Sequence, residues 1–232
     1  MSITHRISIG IASASDGTPS GSSSGSTLEA GSTETSSDVV ISSDTYDYDL
    51  TVSFTTSNLQ SLVFKSDKNC TLKFGGTNEV QRLTITGTPT GGTFTMSFNG
   101  QTTAAIAYNA TAAAVQSALE ALSNIAAGEV ACTGGPLPGS VVDIEFRNGL
   151  GKQNVSAMTT TDSLTGGTTP ATAITTPTPG VAPDKTITLK AGDPFVWTRS
   201  NGYYACPFST SCSHIYVTTT DATRVQGFIL VS

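Results

Sequence analysis

The sequence predicts a mainly-β protein: a discontinuous antiparallel β-sandwich, jelly-roll-like, with a small α+β domain inserted into it. Three observations predict this. Short runs of alternating apolar and polar residues recur between Gly- and Pro-containing turns, the pattern of half-buried strands. Only one stretch carries convincing helical periodicity. The texture of residues 39–74 returns at residues 186–230 after a segment of different composition, which predicts one domain built from both ends of the chain.

Taken in order, Ile3, Ile7, Ile9 and Ile11 mark a first strand. Residues 12–38 are rich in Ser, Gly and Thr, with Ala12, Ala14, Leu28 and Ala30 as their apolar groups. Such a tract cannot offset roughly 1–2 kcal/mol per residue of backbone ordering by its own burial. Residues 1–38 are therefore expected to form an arm that neighbouring subunits order, most simply by strand addition to an exposed sheet edge. Val39–Ile41 is a short strand. Tyr48, Leu50, Val52 and Phe54 alternate with polar residues as a longer one. Leu62–Phe64 and Cys70–Phe74 follow, and Gly75-Gly76 ends the segment.

Residues 78–168 read as the inserted α+β domain. Val80, Leu83 and Ile85 mark a strand, Gly91-Gly92 a turn, and Phe94, Met96 and Phe98 the returning strand. Asn99-Gly100 is a type I′ hairpin signal leading into a strand over Thr102–Tyr108. The helix spans Ala112–Leu122, capped by Asn109 or Thr111, with Val115, Leu119 and Leu122 on one face. Strands at Glu129–Thr133 and Val141–Phe146 flank a Gly/Pro turn. Residues 169–183, with Pro170, Pro177, Pro179 and Pro183, read as a linker. Thr186–Lys190, Phe195–Thr198, Ile215–Val217 and Phe228–Leu230 return to residues 1–77, so that 1–77 and 184–232 form the outer sandwich. Cys70–Phe74 and Thr186–Lys190 should be neighbours. The outer core should contain Leu50, Val52, Leu62, Phe64, Leu72, Leu189, Val196, Trp197 and Ile229, with Val196 and Trp197 facing opposite ways.

Charged residues are 12% of the chain, about half the roughly 25% usual for globular proteins. Hydroxyl-bearing residues fill the gap, and such a surface loses little desolvation energy when it packs against copies of itself. Net charge is -6, and the 11 Lys and Arg are scattered. No basic patch points to nucleic acid. No stretch approaches the roughly 18 apolar residues of a membrane span, and the N-terminus has no apolar signal-peptide region. The expected setting is a soluble protein made in the cytoplasm.

Chemistry-bearing motifs are few. There is no HExxH, P-loop or GxGxxG opening a helix. His214 lies too close in the chain to Ser211 and Cys212 for a nucleophile–base pair on extended backbone. Asp44, Asp47 and Asp49 read as a solvated strand face, since calcium needs six or more oxygens. No catalytic residue, metal site or cofactor is expected. The four cysteines match no zinc pattern, and Cys206 and Cys212 are spaced to bridge a short loop. Tyr203, Tyr204, Pro207 and Phe208 crowd one loop, which reads either as an interface or as a cover over the sandwich end.

The stretches "EVQRLTITGTPTGGTFTMSF" (Glu79–Phe98), "AIAYNATAAAVQSALEAL" (Ala105–Leu122) and "GGPLPGSVVDIEF" (Gly134–Phe146) resemble a β-α-β accessory module that recurs in phage virion and bacterial surface proteins. "NLQSLVFKSDKNCTLKF" (Asn58–Phe74) and "TITLKAGDPFVWTRSNGYYACPF" (Thr186–Phe208) look like proteins of tailed-phage structural clusters. The resemblance implies a virion structural protein: a capsid decoration or cement protein, or alternatively a tail, adaptor or fibre-associated one. A bacterial surface adhesion module is a further alternative. The implied partners are a major capsid or tail protein, further copies of this chain, and a host surface reached through the inserted domain.

Overall fold

The computed structural model describes residues 33–199 and 206–231. Strands take up 49% of these, and the protein is mainly β. Four strands come first: β1 (Thr33–Ile41), β2 (Thr45–Asp49), β3 (Leu59–Ser66) and β4 (Cys70–Phe74). Then come β5 (Val80–Thr86), β6 (Gly91–Phe98), β7 (Gln101–Thr102), β8 (Ile106–Ala107), helix α1 (Ala112–Glu120), β9 (Val130–Gly134), β10 (Val142–Phe146), β11 (Thr159–Thr165) and β12 (Ala171–Thr178). The chain closes with β13 (Lys185–Leu189), β14 (Phe195–Thr198), β15 (Ile215–Thr219) and β16 (Thr223–Val231).

These strands form four antiparallel sheets. Sheet A has the order β1-β16-β3-β14 and sheet B the order β13-β4-β15-β2. Each mixes strands from both ends of the described chain, and β4 pairs with β13 through Leu72↔Ile187, as the sequence predicts. The inward residues of the two sheets meet in one apolar core that includes Leu62, Phe64, Leu72, Phe74, Val217 and Ile229. Phe64 of sheet A meets Phe74 of sheet B edge-on, with ring centroids 6.2 Å apart. This is β-sandwich packing. Trp197 packs against the same core, while Val196, its neighbour on the other face of β14, is 41% exposed and drops out of the predicted core.

Sheet C has the order β12-β5-β10-β9, and sheet D the order β11-β6-β7, with β8 also pairing β6. Their inward faces share a second apolar core with α1, which contributes Val115 and Leu119. Thr111 caps α1, its hydroxyl accepting from the Ala114 N–H at 3.2 Å. Asn99 and Gly100 have φ of 45 and 82, as a type I′ turn requires.

Several expected boundaries move. The alternation over Tyr48–Phe54 is not one strand, because Thr51 has φ 57 and its N–H turns back to the Asp49 carboxylate at 2.7 Å. Leu50, Val52 and Phe54 remain buried regardless. Gly91 and Gly92 open β6 rather than making a turn. The strand expected over Thr102–Tyr108 is reduced to the short β7 and β8. The supposed linker at 169–183 carries β12, which pairs with β5, and β11 precedes it. Thr is a good strand former, and Pro177 is accommodated where the register against β5 shifts between Thr175 and Thr178. The Ser/Gly-rich tract also gives way earlier than expected. From Thr33, β1 pairs along its length with this chain's own β16, from Thr33↔Val231 to Ile41↔Thr223. The rest of the predicted arm and the Ile3–Ile11 strand lie outside the described residues.

Candidate functional site

Of the four residues of the predicted aromatic loop, Pro207 and Phe208 fall among the described residues. Tyr203 and Tyr204 lie outside the described residues. Pro207 is half-buried, and Phe208 is 4% exposed. The Phe208 ring packs on Phe54 and Phe74 at centroid separations of 5.0 and 4.7 Å. Phe208 is thus a core residue, not an interface residue. The Asp184 carboxylate holds the chain just beyond it, accepting from the Ser209 N–H at 2.8 Å and from the Ser209 hydroxyl. These bonds keep the Asp184 carboxyl below the usual carboxylate range, the Ser209 hydroxyl acting most strongly. Cys206 and Cys212 are free thiols, not a disulfide. The buried Cys212 Sγ donates to the His214 carbonyl at 2.9 Å, and burial raises its pKa.

The densest polar arrangement lies on the outer face of sheet B. Alternation places Ile215 and Val217 of β15 in the core and turns Tyr216 outward. Tyr216 stands opposite Asp49 of β2 and Lys73 of β4. The register shift between Val217 and Thr219, with Asp47 at φ 51, lets Asp47 reach the same face. There Lys73 Nζ lies 2.8 Å from Asp47 Oδ1. His214 Nδ1 lies 2.7 Å from Asp49 Oδ2, and its ring stacks on Tyr216. Of the three aspartates read as a solvated face, Asp47 and Asp49 are therefore engaged in ion pairs and hydrogen bonds, while Asp44 is exposed as expected.

The cover of this face comes from the segment after β10. Lys152, 8% exposed, places its Nζ 3.6 Å from the Tyr216 ring centroid. Its own N–H donates to Asn78 Oδ1 at 3.0 Å, and Asn78 donates to Glu145 Oε1 at 2.9 Å. Burial draws the Lys152 ammonium below the ordinary lysine value, with Asp47, Asp49 and Glu145 pulling the other way. Burial pushes the Tyr216 phenol up, reinforced by Asp49 and Asp47. The arrangement fastens two parts of the fold. His214 uses Nδ1 on Asp49, and the nearest sulfur bonds its carbonyl rather than its imidazole.

A second polar node is buried beneath sheet C. The Glu79 carboxylate, 1% exposed, accepts from Gln81 Nε2 at 2.7 Å and from the Val155 N–H at 3.0 Å. Gln81 in turn accepts from the Met158 N–H at 2.8 Å. Together they tie the strap leading into β11. Gly180 approaches Gln153 so closely that a Cβ there would strike the Gln153 carbonyl oxygen.

Sequence reasoning missed Glu79, Gln81 and Lys152. Gln81 had a signal: it occupies an inward position in register with Leu83 and Ile85. Lys152, in a Gly-Lys loop, had none. Among the described residues no three His, Cys, Asp or Glu gather into a metal-binding group. No described helix is long and apolar enough to cross a membrane. No protein-family model matches the chain, and no curated protein matches it significantly.

Proposed function

We propose that this chain is a non-catalytic structural component of a tailed-phage particle, most simply a capsid decoration or cement protein that binds a repeating lattice. The observation that carries the reading is the position of β1. Among the described residues it is an edge strand of sheet A, and it continues directly from the Ser/Gly-rich N-terminal tract. A tract entering an edge strand is placed to extend pairing onto a neighbour, where backbone hydrogen bonds supply affinity without particular side chains. The low charge makes close approach of identical subunits tolerable, and many weak contacts on a lattice add up. The resemblance of Asn58–Phe74 and Thr186–Phe208 to phage structural proteins supports the same reading. The segment around α1 is read as an accessory unit inserted in the sandwich and available to a host surface.

The test is deletion of residues 1–32, which leaves β1 whole. The proposal expects the shortened chain to keep its β circular dichroism and to lose incorporation into particles. Undiminished incorporation would overturn the arm's role.

A further inference from the structure

β1 and β2 form one open side of the sandwich. The short turn 42–44 joins them, and among the described residues each is an edge strand, of sheets A and B. β1 is long and regular for an edge. It pairs with β16 from Thr33↔Val231 to Ile41↔Thr223 with no register shift. Its sequence, TETSSDVVI, has no Lys or Pro, two of the residues that commonly guard an edge. The opposite side is guarded: β14 is four residues long, and β13 carries Lys185. The core is also incompletely closed beside β1. Ile41 is buried and Val39 partly buried against the core, while Val40 between them is 73% exposed. Tyr48 of β2 stands opposite the core residue Val217, yet it is 39% exposed. Apolar side chains from one more strand beside β1 would close this side.

We propose that the β1 edge is the acceptor for residues 3–11 of a second copy of this chain, which add to sheet A as a further strand. The inference rests on the arm reading under Proposed function and names the surface that the arm meets. Residues 3–11 match the nine-residue length of β1. Strand alternation puts Ile3, Ile7, Ile9 and Ile11 on one face, with His5, and Thr4, Arg6, Ser8 and Gly10 on the other. Beside β1, the isoleucine face continues the core past Val39 and Ile41 and covers Tyr48. The other face then lies on the side of Val40 and the exposed Asp38, where Arg6 brings the opposite charge. Backbone pairing along the edge supplies the rest of the affinity. The length of the connection selects a neighbour's edge over the chain's own. A hairpin onto its own β1 would need about 2–5 residues. The tract 12–32 is far longer, and extended it can span up to about 70 Å. Every copy carries both the arm and the edge, so the contact is head-to-tail and can repeat along a lattice.

The experiment uses the purified full chain with Val40 replaced by the photo-crosslinking residue p-benzoylphenylalanine. Unlabelled and heavy-isotope-labelled chains are mixed, irradiated and digested at glutamate, which separates residues 3–11 from β1. Mass spectrometry should find mixed-label cross-links that join β1 to residues 3–11. In sedimentation equilibrium the unmodified chain should self-associate. Ile7→Asp with Ile9→Asp should weaken that association at least roughly ten-fold and leave the β circular dichroism unchanged. Cross-links confined to one label would assign the edge to the chain's own arm and overturn the proposal. Cross-links from β1 to another part of the second copy, no cross-link, a chain that stays monomeric, or unchanged association of the Ile7/Ile9 variant would overturn it as well. If deletion of residues 1–32 still abolishes incorporation into particles, any of these results leaves the arm's role standing and moves its contact to another virion protein.

Discussion

Lys152 Nζ lies 3.6 Å from the centroid of the Tyr216 ring, joining the loop after β10 to the outer face of sheet B. Its surroundings depress the lysine, with burial as the leading cause. The sign follows from linkage. Between the depressed folded value and the ordinary value near 10.5, the unfolded chain binds more protons, so stability rises with pH through that window. Lys152→Met keeps the stem and removes the charge. It should be at least as stable as the wild type at pH 7, and the wild type should gain on it as pH approaches 10. Urea unfolding of both proteins across pH 7–10 checks this. A loss above about 1 kcal/mol in the variant at pH 7 would show that attraction to the Tyr216 ring and to the nearby carboxylates outweighs desolvation.

Glu79→Gln should destabilise by about 2–4 kcal/mol, because an amide NH₂ would face N–H donors that the carboxylate now satisfies. Native-state hydrogen exchange should show the Val155 and Met158 amides opening first. A change under about 0.5 kcal/mol would contradict the anchoring role.

Phe208→Ala should cost about 3–5 kcal/mol in chemical denaturation, as expected for a core aromatic beside Phe54 and Phe74. A near-neutral effect on folding, with a loss of binding, would restore the interface reading of that loop.

The inserted-unit proposal makes its own prediction. The Asp184 N–H donates to the Phe74 carbonyl at 2.9 Å, and Thr77 bridges to Val181, so the ends of the intervening segment lie side by side. Excising residues 78–180 and rejoining the chain with a short Gly linker should leave sheets A and B folded. Loss of all β circular dichroism in the excised protein would count against the proposal.

Much of the sandwich was legible in the sequence, because period-two alternation marks inward residues directly. Leu62, Phe64 and Leu72 stand where their spacing puts them. Alternation does not report backbone breaks. Leu50, Val52 and Phe54 are buried as read, yet the positive φ at Thr51 ends the strand before them. Composition misled at β12, where Thr and Pro suggested a linker although Thr favours strands and one register shift accommodates Pro177. The fastening around Tyr216 was illegible for another reason. It joins Asp47, Lys73 and His214, which are far apart in the chain and meet through the pairing of sheet B, with Lys152, which reaches them from the loop after β10. The loop offered two readings by pattern, and for Phe208 itself packing on Phe54 and Phe74 places the ring in the core.

The central claim is that this chain is a repeated part of a tailed-phage particle. Quantitative mass spectrometry of gradient-purified particles from cells that make this protein tests it most directly. The account predicts the chain co-purifying with the major capsid or tail protein in a fixed, many-copy ratio that survives repeated gradients. Particles of normal composition and infectivity that lack the chain, with the protein left free in the lysate, would contradict it.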